Sequence, residues 1–500
     1  MATTTLTWTP PGKGDWRGLH DHFPRALTPE YQRLLAQGME QGEAVYFEQY
    51  GLPVRTLQPA FVHGRVFVTA APLFGPATNR FPPTPLMWLA IRLVPAFRRR
   101  GAAARRALAE RPWVRETEQW YRVERPAWQA RNQALDAVDV TGLDDAGLRA
   151  YLHEVRANAD AGYRDHFRLH GPDLIPTALF LTRAADWGID QLDATALLAG
   201  SSPASRGEGE LPGWRLVTGY DLDERCANEL PQREAVQRDA PSPDAMLEEK
   251  LRSTVPLQNQ DEWDVRLADA RATYGIRDDN GLLTAAWPVG LLRRAMLEAG
   301  RRLAADGRLH DSEHAVELTV DELDAALCDD TDAAPADEAA ARRATRHRLS
   351  LEAAPASLGP ELDLPLGALP APMRLLTRSL LVLRDAGITP PGVRTPFAGV
   401  GIGTEVVSGR ACVATDPAEA LARFEPGDIL VTKGTCPAWN ALLTHAGGVV
   451  TEEGGPLSHA AVIAREIGLS ALIGTADAMA IPDGAAVELD PSAGTVRVLT

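Results

Sequence analysis

The segment Gly454-Gly455-Pro456-Leu457-Ser458-His459-Ala460-Ala461-Val462-Ile463-Ala464-Arg465-Glu466-Ile467-Gly468 leaves the chain few ways to fold. Ser458 is a good N-cap, Ala460 to Ile467 favours helix, and Gly468 stands where a helix stops. A glycine pair therefore delivers His459 onto the first turn of a short helix, beside backbone N–H groups that no helical carbonyl satisfies. Those groups and the positive helix end stabilise an added anion. Imidazole is substantially neutral near pH 7, which leaves a ring nitrogen free to attack. His459 is the candidate catalytic residue, and Gly454, Gly455, Ser458 and Ala460 are the candidate phosphate-stabilising positions.

The surrounding hundred residues read as a small α/β unit. The runs Ile429-Leu430-Val431, Gly448-Val449-Val450 and Ala471-Leu472-Ile473 are of strand length. Ala486 to Asp490 and Thr495 to Leu499 flank Pro491-Ser492-Ala493-Gly494 and predict a closing hairpin. The basic residues of this unit are Arg410, Arg423, Lys433, Arg465 and Arg497 against roughly a dozen acids, so a cationic phosphate clamp is expected elsewhere.

From Val400 to Thr500 the sequence resembles the swivelling phosphohistidine domain of phosphoenolpyruvate synthase, pyruvate phosphate dikinase and rifampin phosphotransferase. The family's Gly-Gly-x-x-Ser-His-Ala-Ala-x-x-Ala-Arg-Glu-x-Gly segment matches in order. Glu425-Pro426-Gly427-Asp428-Ile429-Leu430-Val431, Pro437-Ala438-Trp439, Asp483-Gly484 and Gly494 agree as well. The resemblance implies that His459 becomes phosphorylated. One departure is Leu457, where many relatives have a threonine, so a hydroxyl beside the Ser-His pair is missing.

Nucleotide chemistry needs cations on the phosphates and carboxylates for Mg²⁺. Lysine occurs only at Lys13, Lys250 and Lys433, and Pro11-Gly12-Lys13-Gly14-Asp15 lacks the spacing and hydroxyl of a phosphate-binding loop. Relatives commonly carry an N-terminal ATP-grasp domain, which the resemblance places outside these residues. The N-terminal part, through Trp16, His22-Phe23-Pro24-Arg25-Ala26-Leu27-Thr28-Pro29 and Tyr50-Gly51, is similar to the segment after ATP-grasp in rifampin phosphotransferase-like proteins. A stretch from Ala299 to Leu323 is similar to the region upstream of their swivelling domain. By that resemblance, residues up to about 390 bind a small-molecule acceptor, while ATP and Mg²⁺ act only through a separate ATP-grasp or similar ATP-binding partner.

The expected fold is multidomain α+β: a mainly helical acceptor region over 1–386, a proline-rich linker over 387–397, and the small swivelling α/β domain over 398–500. Helical periodicity at Ala104 to Leu108, Leu148 to Ala157, Leu291 to Leu303 and Met373 to Ala386 supports the first part. Asp239 to Asp244 and Cys328 to Ala341 read as exposed connections. The linker, with Pro390, Pro391 and Pro396, would let a carrier visit a donor and an acceptor that cannot share one pocket.

A net charge of −16 and a pI near 5.2 disfavour a nucleic-acid partner. Arg92, Arg98, Arg99, Arg100, Arg105, Arg106 and Arg111 form a basic segment, read as a solvated helix face or a docking surface. No apolar run is of membrane-spanning length and Met1 to Pro10 do not read as a signal peptide, so a cytoplasmic protein with no membrane partner is expected. Cys226, Cys328, Cys412 and Cys436 lack CxxC pairing, which argues against a disulfide framework or structural zinc.

Ten of the eleven tryptophans precede the linker; most read as ordinary core and surface residues, but their distribution places any aromatic-lined acceptor pocket in that part. His20, His22, His63, His166 and His170 are the acid–base candidates near an acceptor hydroxyl. His166 and His170, four apart, could share a helix face, but no metal site is expected. The expected function is the acceptor-binding and carrier component of a split phosphotransferase, a kinase-like transferase. The alternatives are a non-catalytic phosphohistidine interaction or regulatory protein, a degenerate remnant, or, least favoured, a phosphoenolpyruvate-using enzyme.

Overall fold

The computed structural model describes residues 6–20, 22–201, 222, 244–328, 336–387, 395–415, 417–435 and 439–499. Cys226, Cys436, Pro437, Ala438, most of the Asp239 to Asp244 connection and linker residues 388–394 lie outside the described residues. The architecture is mixed α+β, with a helical N-terminal region around one sheet and a C-terminal unit around another.

Strands β1 (Trp16–Gly18), β2 (Val54–Val62), β3 (Arg65–Pro72) and β4 (Ser357–Leu358) form an antiparallel sheet in the order β2-β3-β1-β4. Helix α1 (Pro29–Gln49) starts with proline at its first position, where a missing N–H costs nothing. Helices α2 (Thr84–Leu93) and α3 (Pro95–Glu110) are joined by Val94 alone. Then come α4 (Pro112–Gln119), α5 (Arg125–Asp136), α6 (Asp145–Arg168), α7 (His170–Asp186) and α8 (Gln191–Ala196). They are followed by α9 (Ala245–Thr254), α10 (Gln260–Tyr274), α11 (Ile276–Asn280), α12 (Trp287–Ala305), α13 (Val320–Leu327), α14 (Ala336–Ser350) and α15 (Ala371–Ala386).

Two glycines decide how closely α1 and α6 pack. A Cβ at Gly38 would stand 2.5 Å from the Tyr163 Cβ, and one at Gly42 would stand 2.3 Å from the Arg164 carbonyl. The close approach lets the buried hydroxyls of Tyr31 and Tyr163 bond to each other. Leu34, Leu35, Met39, Leu148, Leu152, Val155, Trp287 and Leu292 fill the core between these helices.

The Cys328 to Ala341 connection needs correction, because α14 begins at Ala336. Asp337 and Glu338 suit its first turn, and Arg342 bonds Glu338 one turn back and Glu322 on α13. An alanine-rich acidic stretch without large apolar residues mimics a linker, yet Ala339 is buried and Arg346 reaches the buried Glu317 at 2.7 Å.

The C-terminal unit contains β5 (Val400–Ile402), β6 (Val407–Val413), α16 (Pro417–Arg423), β7 (Ile429–Thr432), α17 (Asn440–Leu443), β8 (Gly448–Thr451), α18 (His459–Ile467), β9 (Ala471–Ile473), β10 (Ala486–Asp490) and β11 (Thr495–Val498). Its seven strands run β11-β10-β6-β7-β8-β9-β5, with β6 to β9 parallel and the outer strands antiparallel. The three apolar runs and the closing hairpin all fall on strands. Helix α18 crosses from β8 to β9, so its N-terminus sits past the carboxyl end of the parallel strands, where such sheets bind ligands.

The two regions are packed together. Leu457 and Val462 share one buried cluster with Ala178, Phe180, Leu181, Trp263 and Tyr274, and Leu192 packs against the C-terminal core. The Gly455 N–H donates to the Gly387 carbonyl at 3.2 Å.

Candidate active site

Ser458 takes the N-cap conformation of α18, φ −62 and ψ 159, but its hydroxyl makes no capping bond and is buried without a partner. The cap position holds as read, and the first-turn N–H groups stay open. Gly454 adopts φ 117, and a Cβ there would meet Ser458 Oγ at 2.8 Å, so only glycine allows this tight entry. At the other end Gly468 is left-handed, φ 65, and closes the helix. The buried Arg465 donates to the Pro456 carbonyl and braces the loop ahead of His459.

His459 Nδ1 lies 2.8 Å from the Thr435 hydroxyl, and Nε2 is buried with no hydrogen-bond partner. Burial, reinforced by the nearby His22 and Arg277 charges, pushes the imidazole pKa down to about 3. The ring is therefore neutral over the physiological range. If Nδ1 carries the proton and donates it to Thr435, Nε2 presents a lone pair, which is the nucleophilic form.

His459 lines a cleft of about 2970 Å³ whose walls come from both regions. From the N-terminal region it receives His20, His22, Tyr163, His166, His170, Asp173 and Arg277. Four of the five candidate histidines are thus brought together. His63 is not: it lies in the turn between β2 and β3 and bonds the Thr7 carbonyl at 3.0 Å. His20 reaches the Pro355 carbonyl at 3.0 Å and packs edge-on against Phe67. His166 and His170 approach to 5.0 Å between ring centres, but they do not share a helix, because α6 ends and α7 begins between them.

Burial lowers both of these histidines, His166 to about 4 and His170 well below its ordinary value, with His166 adding to the latter. Both are neutral at pH 7. Among the described residues, no three metal-ligating side chains cluster.

Trp113, Trp120, Trp263 and Trp287 are fully buried core residues, because large rings fill the crossings of long helices. The cleft is lined instead by Phe23, Tyr46, Phe47, Phe97 and Phe167, with Trp439 from the C-terminal unit.

Two residues escaped the sequence reading. Arg277, in α11, stands 3.4 Å from the buried Asp173 and close enough to His459 to lower its pKa. It is a cation supplied from outside the C-terminal unit. Thr435 follows β7 and fixes the ring. Nothing near either residue in the chain signals its role, since each acts only through the tertiary fold. Lys433, the lysine of the C-terminal unit, also lines the cleft but is exposed and paired with Glu453 at 3.3 Å.

Residues 424–494 match the family model described as PEP-utilising enzyme, mobile domain. An uncharacterized phosphotransferase, YvkC, of Bacillus subtilis is 28% identical over 58% of this chain and 35% of its own length. A rifampicin phosphotransferase of a Streptomyces species is 34% identical over 42% of this chain and 22% of its own. The phosphoenolpyruvate synthase of Aeropyrum pernix is 46% identical over 20% of this chain and 12% of its own. The chain thus spans about a third or less of the length of these relatives. The C-terminal unit carries the mobile domain of PEP-utilising enzymes, and the relatives include phosphotransferases. No described helix is long and apolar enough to cross a membrane.

Proposed function

We propose that His459 is a phosphoryl carrier, loaded by an ATP-binding partner of the ATP-grasp type using Mg²⁺, and discharged onto a small-molecule acceptor held in the cleft. The observation that carries this reading is the placement of His459 Nε2, neutral and unpartnered, against an N-terminal wall that supplies Arg277 and clustered imidazoles. In the loading step Nε2 attacks the donor phosphorus and the donor leaving group departs. In the discharge step the Nε2–P bond breaks as an acceptor hydroxyl oxygen bonds phosphorus, and the hydroxyl proton passes to a neutral imidazole, His166 or His170.

Arg277 neutralises charge developing on the phosphoryl oxygens, aided by the first-turn N–H groups of α18 that follow Ser458. Exclusion of water from Nε2 protects the phosphoramidate from hydrolysis. The cleft's phenylalanine lining suits an acceptor with a large apolar part. The reading is tested by intact mass and alkaline peptide mapping after incubation with Mg²⁺-ATP, alone and with an ATP-grasp protein from the same source. Label on His459 only with the partner is expected. Label with neither would overturn it in favour of a binding role.

A further inference from the structure

The basic segment is not absorbed by the site. It lies in the longest acid-free part of the chain: no Asp or Glu occurs between Glu48 and Glu110, a stretch with nine arginines in a protein of net charge −16. Within it, α2 exposes an apolar face. Leu86 is 59% exposed, Leu89 46% and Leu93 65%, at spacings that share one side of a helix, with Trp88 beside them at 46%. Arg92 stacks on Trp88 at 3.6 Å.

Helix α3 follows after one residue and exposes Arg98, Arg99, Arg105 and Arg106, two pairs seven apart and so on one side. None of these four has an ion-pair partner among the described residues, whereas Arg111, the last arginine of the basic segment and just past Glu110, is paired with Asp269. Singly exposed leucines are ordinary, but four large apolar residues on one short helix flanked by unpaired guanidinium groups are not.

We propose that the α2–α3 hairpin seats the protein on an anionic lipid surface. Leucine and tryptophan enter the headgroup boundary, and the arginines hold lipid phosphates. Nucleic acid would use the arginines but leave the leucines in water. A second copy of the chain would bring like charge against like charge. Leu86, Met87, Ala90 and Ile91 of α2 line the cleft, so the bilayer taken up by Leu89, Leu93 and Trp88 would lie against the wall of the acceptor site. The proposal replaces the expectation of no membrane partner, which rested on the lack of a spanning segment, and it stands apart from the His459 reading because binding needs no phosphoryl donor.

The test is co-sedimentation of the full chain with vesicles of phosphatidylcholine alone or mixed with phosphatidylglycerol. Sedimentation with the mixed vesicles only is expected. It should weaken about fivefold for each arginine removed in Arg98→Gln and Arg105→Gln, weaken in high salt, and fall sharply in the double variant Leu89→Ser/Leu93→Ser. Unchanged thermal midpoints would show these surface variants folded. The proposal is overturned if anionic vesicles do not retain the protein, if both sets of variants bind like the parent, or if sedimentation velocity finds instead a dimer that the leucine variant dissociates.

Discussion

The Thr435 hydroxyl stands 2.8 Å from Nδ1 of His459, while Nε2 of the same ring has no partner. One contact thus orients the ring, and with the hydroxyl accepting an Nδ1 proton it leaves Nε2 the lone pair that can attack.

Thr435→Val keeps the shape of this buried side chain and removes the acceptor. Phosphorylation of His459 should slow about tenfold, in keeping with the loss of one hydrogen bond to a buried ring. Thr435→Ser should restore most of the rate. Rapid-quench labelling of the histidine measures both, and equal rates for the valine and serine variants would remove the hydroxyl from the mechanism.

Arg277→Met should separate the two half-reactions. Discharge to the acceptor is expected to slow roughly 10²- to 10³-fold, the scale for losing a charged transition-state contact. Loading by the donor should change little, since Arg277 belongs to the acceptor wall. Arg277→Lys keeps the charge and should fall between. Equal loss in both half-reactions would mean that the arginine only supports Asp173.

Leu457 immediately precedes the N-cap of α18. It is 8% exposed and packs among residues of α7 and α10. Leu457→Asp would bury an unpaired carboxylate at the joint, at a cost of several kcal/mol. A larger radius of gyration by small-angle scattering is the expected result. Leu457→Thr should shift it less. An unchanged radius for the aspartate variant would show that the joint holds without this contact.

The docked arrangement should also respond to acid. His459 falls to about 3 and His166 to about 4 when buried, against an ordinary value near 6.5. The released or unfolded state therefore takes up protons that the docked state refuses. Stability is full above about pH 6.5 and is lost as pH falls from there toward the depressed values. For His459 alone the loss by pH 5 is of the order of 1–2 kcal/mol. Chemical denaturation at pH 7.5 and pH 5 measures it, and His459→Gln should flatten part of the slope.

Local signals made the α18 segment legible: a cap, a helix-forming run and two glycines all lie within one short stretch, and the strands around it are short apolar runs. Arg277 was illegible for the opposite reason. It reaches His459 only because α11 and α18 meet across the joint, and nothing in Tyr274-Gly275-Ile276-Arg277 marks that meeting. His63 looked equivalent to His22 because which loop faces the cleft is set by tertiary packing and not by the residues beside the histidine. The tryptophans could not place the pocket because the same aromatic area serves a core as well as a pocket.

Glu43 tests the cleft's polar floor by a second titration. It is 3% exposed, lines the cleft, and accepts from the Leu57 N–H at 2.8 Å and from the Thr56 hydroxyl at 3.4 Å. Burial raises its carboxyl to about 8, against the two hydrogen bonds that pull it down, so it is largely protonated at neutral pH. The sign is opposite to that of the histidines. Above an ordinary value of 4.5 the unfolded carboxyl ionises while the folded one does not, and stability declines as pH rises toward 8. Glu43→Gln keeps an acceptor for Leu57 and Thr56 without a titrating group. It should therefore gain about 1–3 kcal/mol over the parent at pH 8, and little at pH 5. Urea denaturation at the two pH values decides it, because a gain of equal size at both would trace to packing and leave the carboxyl ionised in the fold.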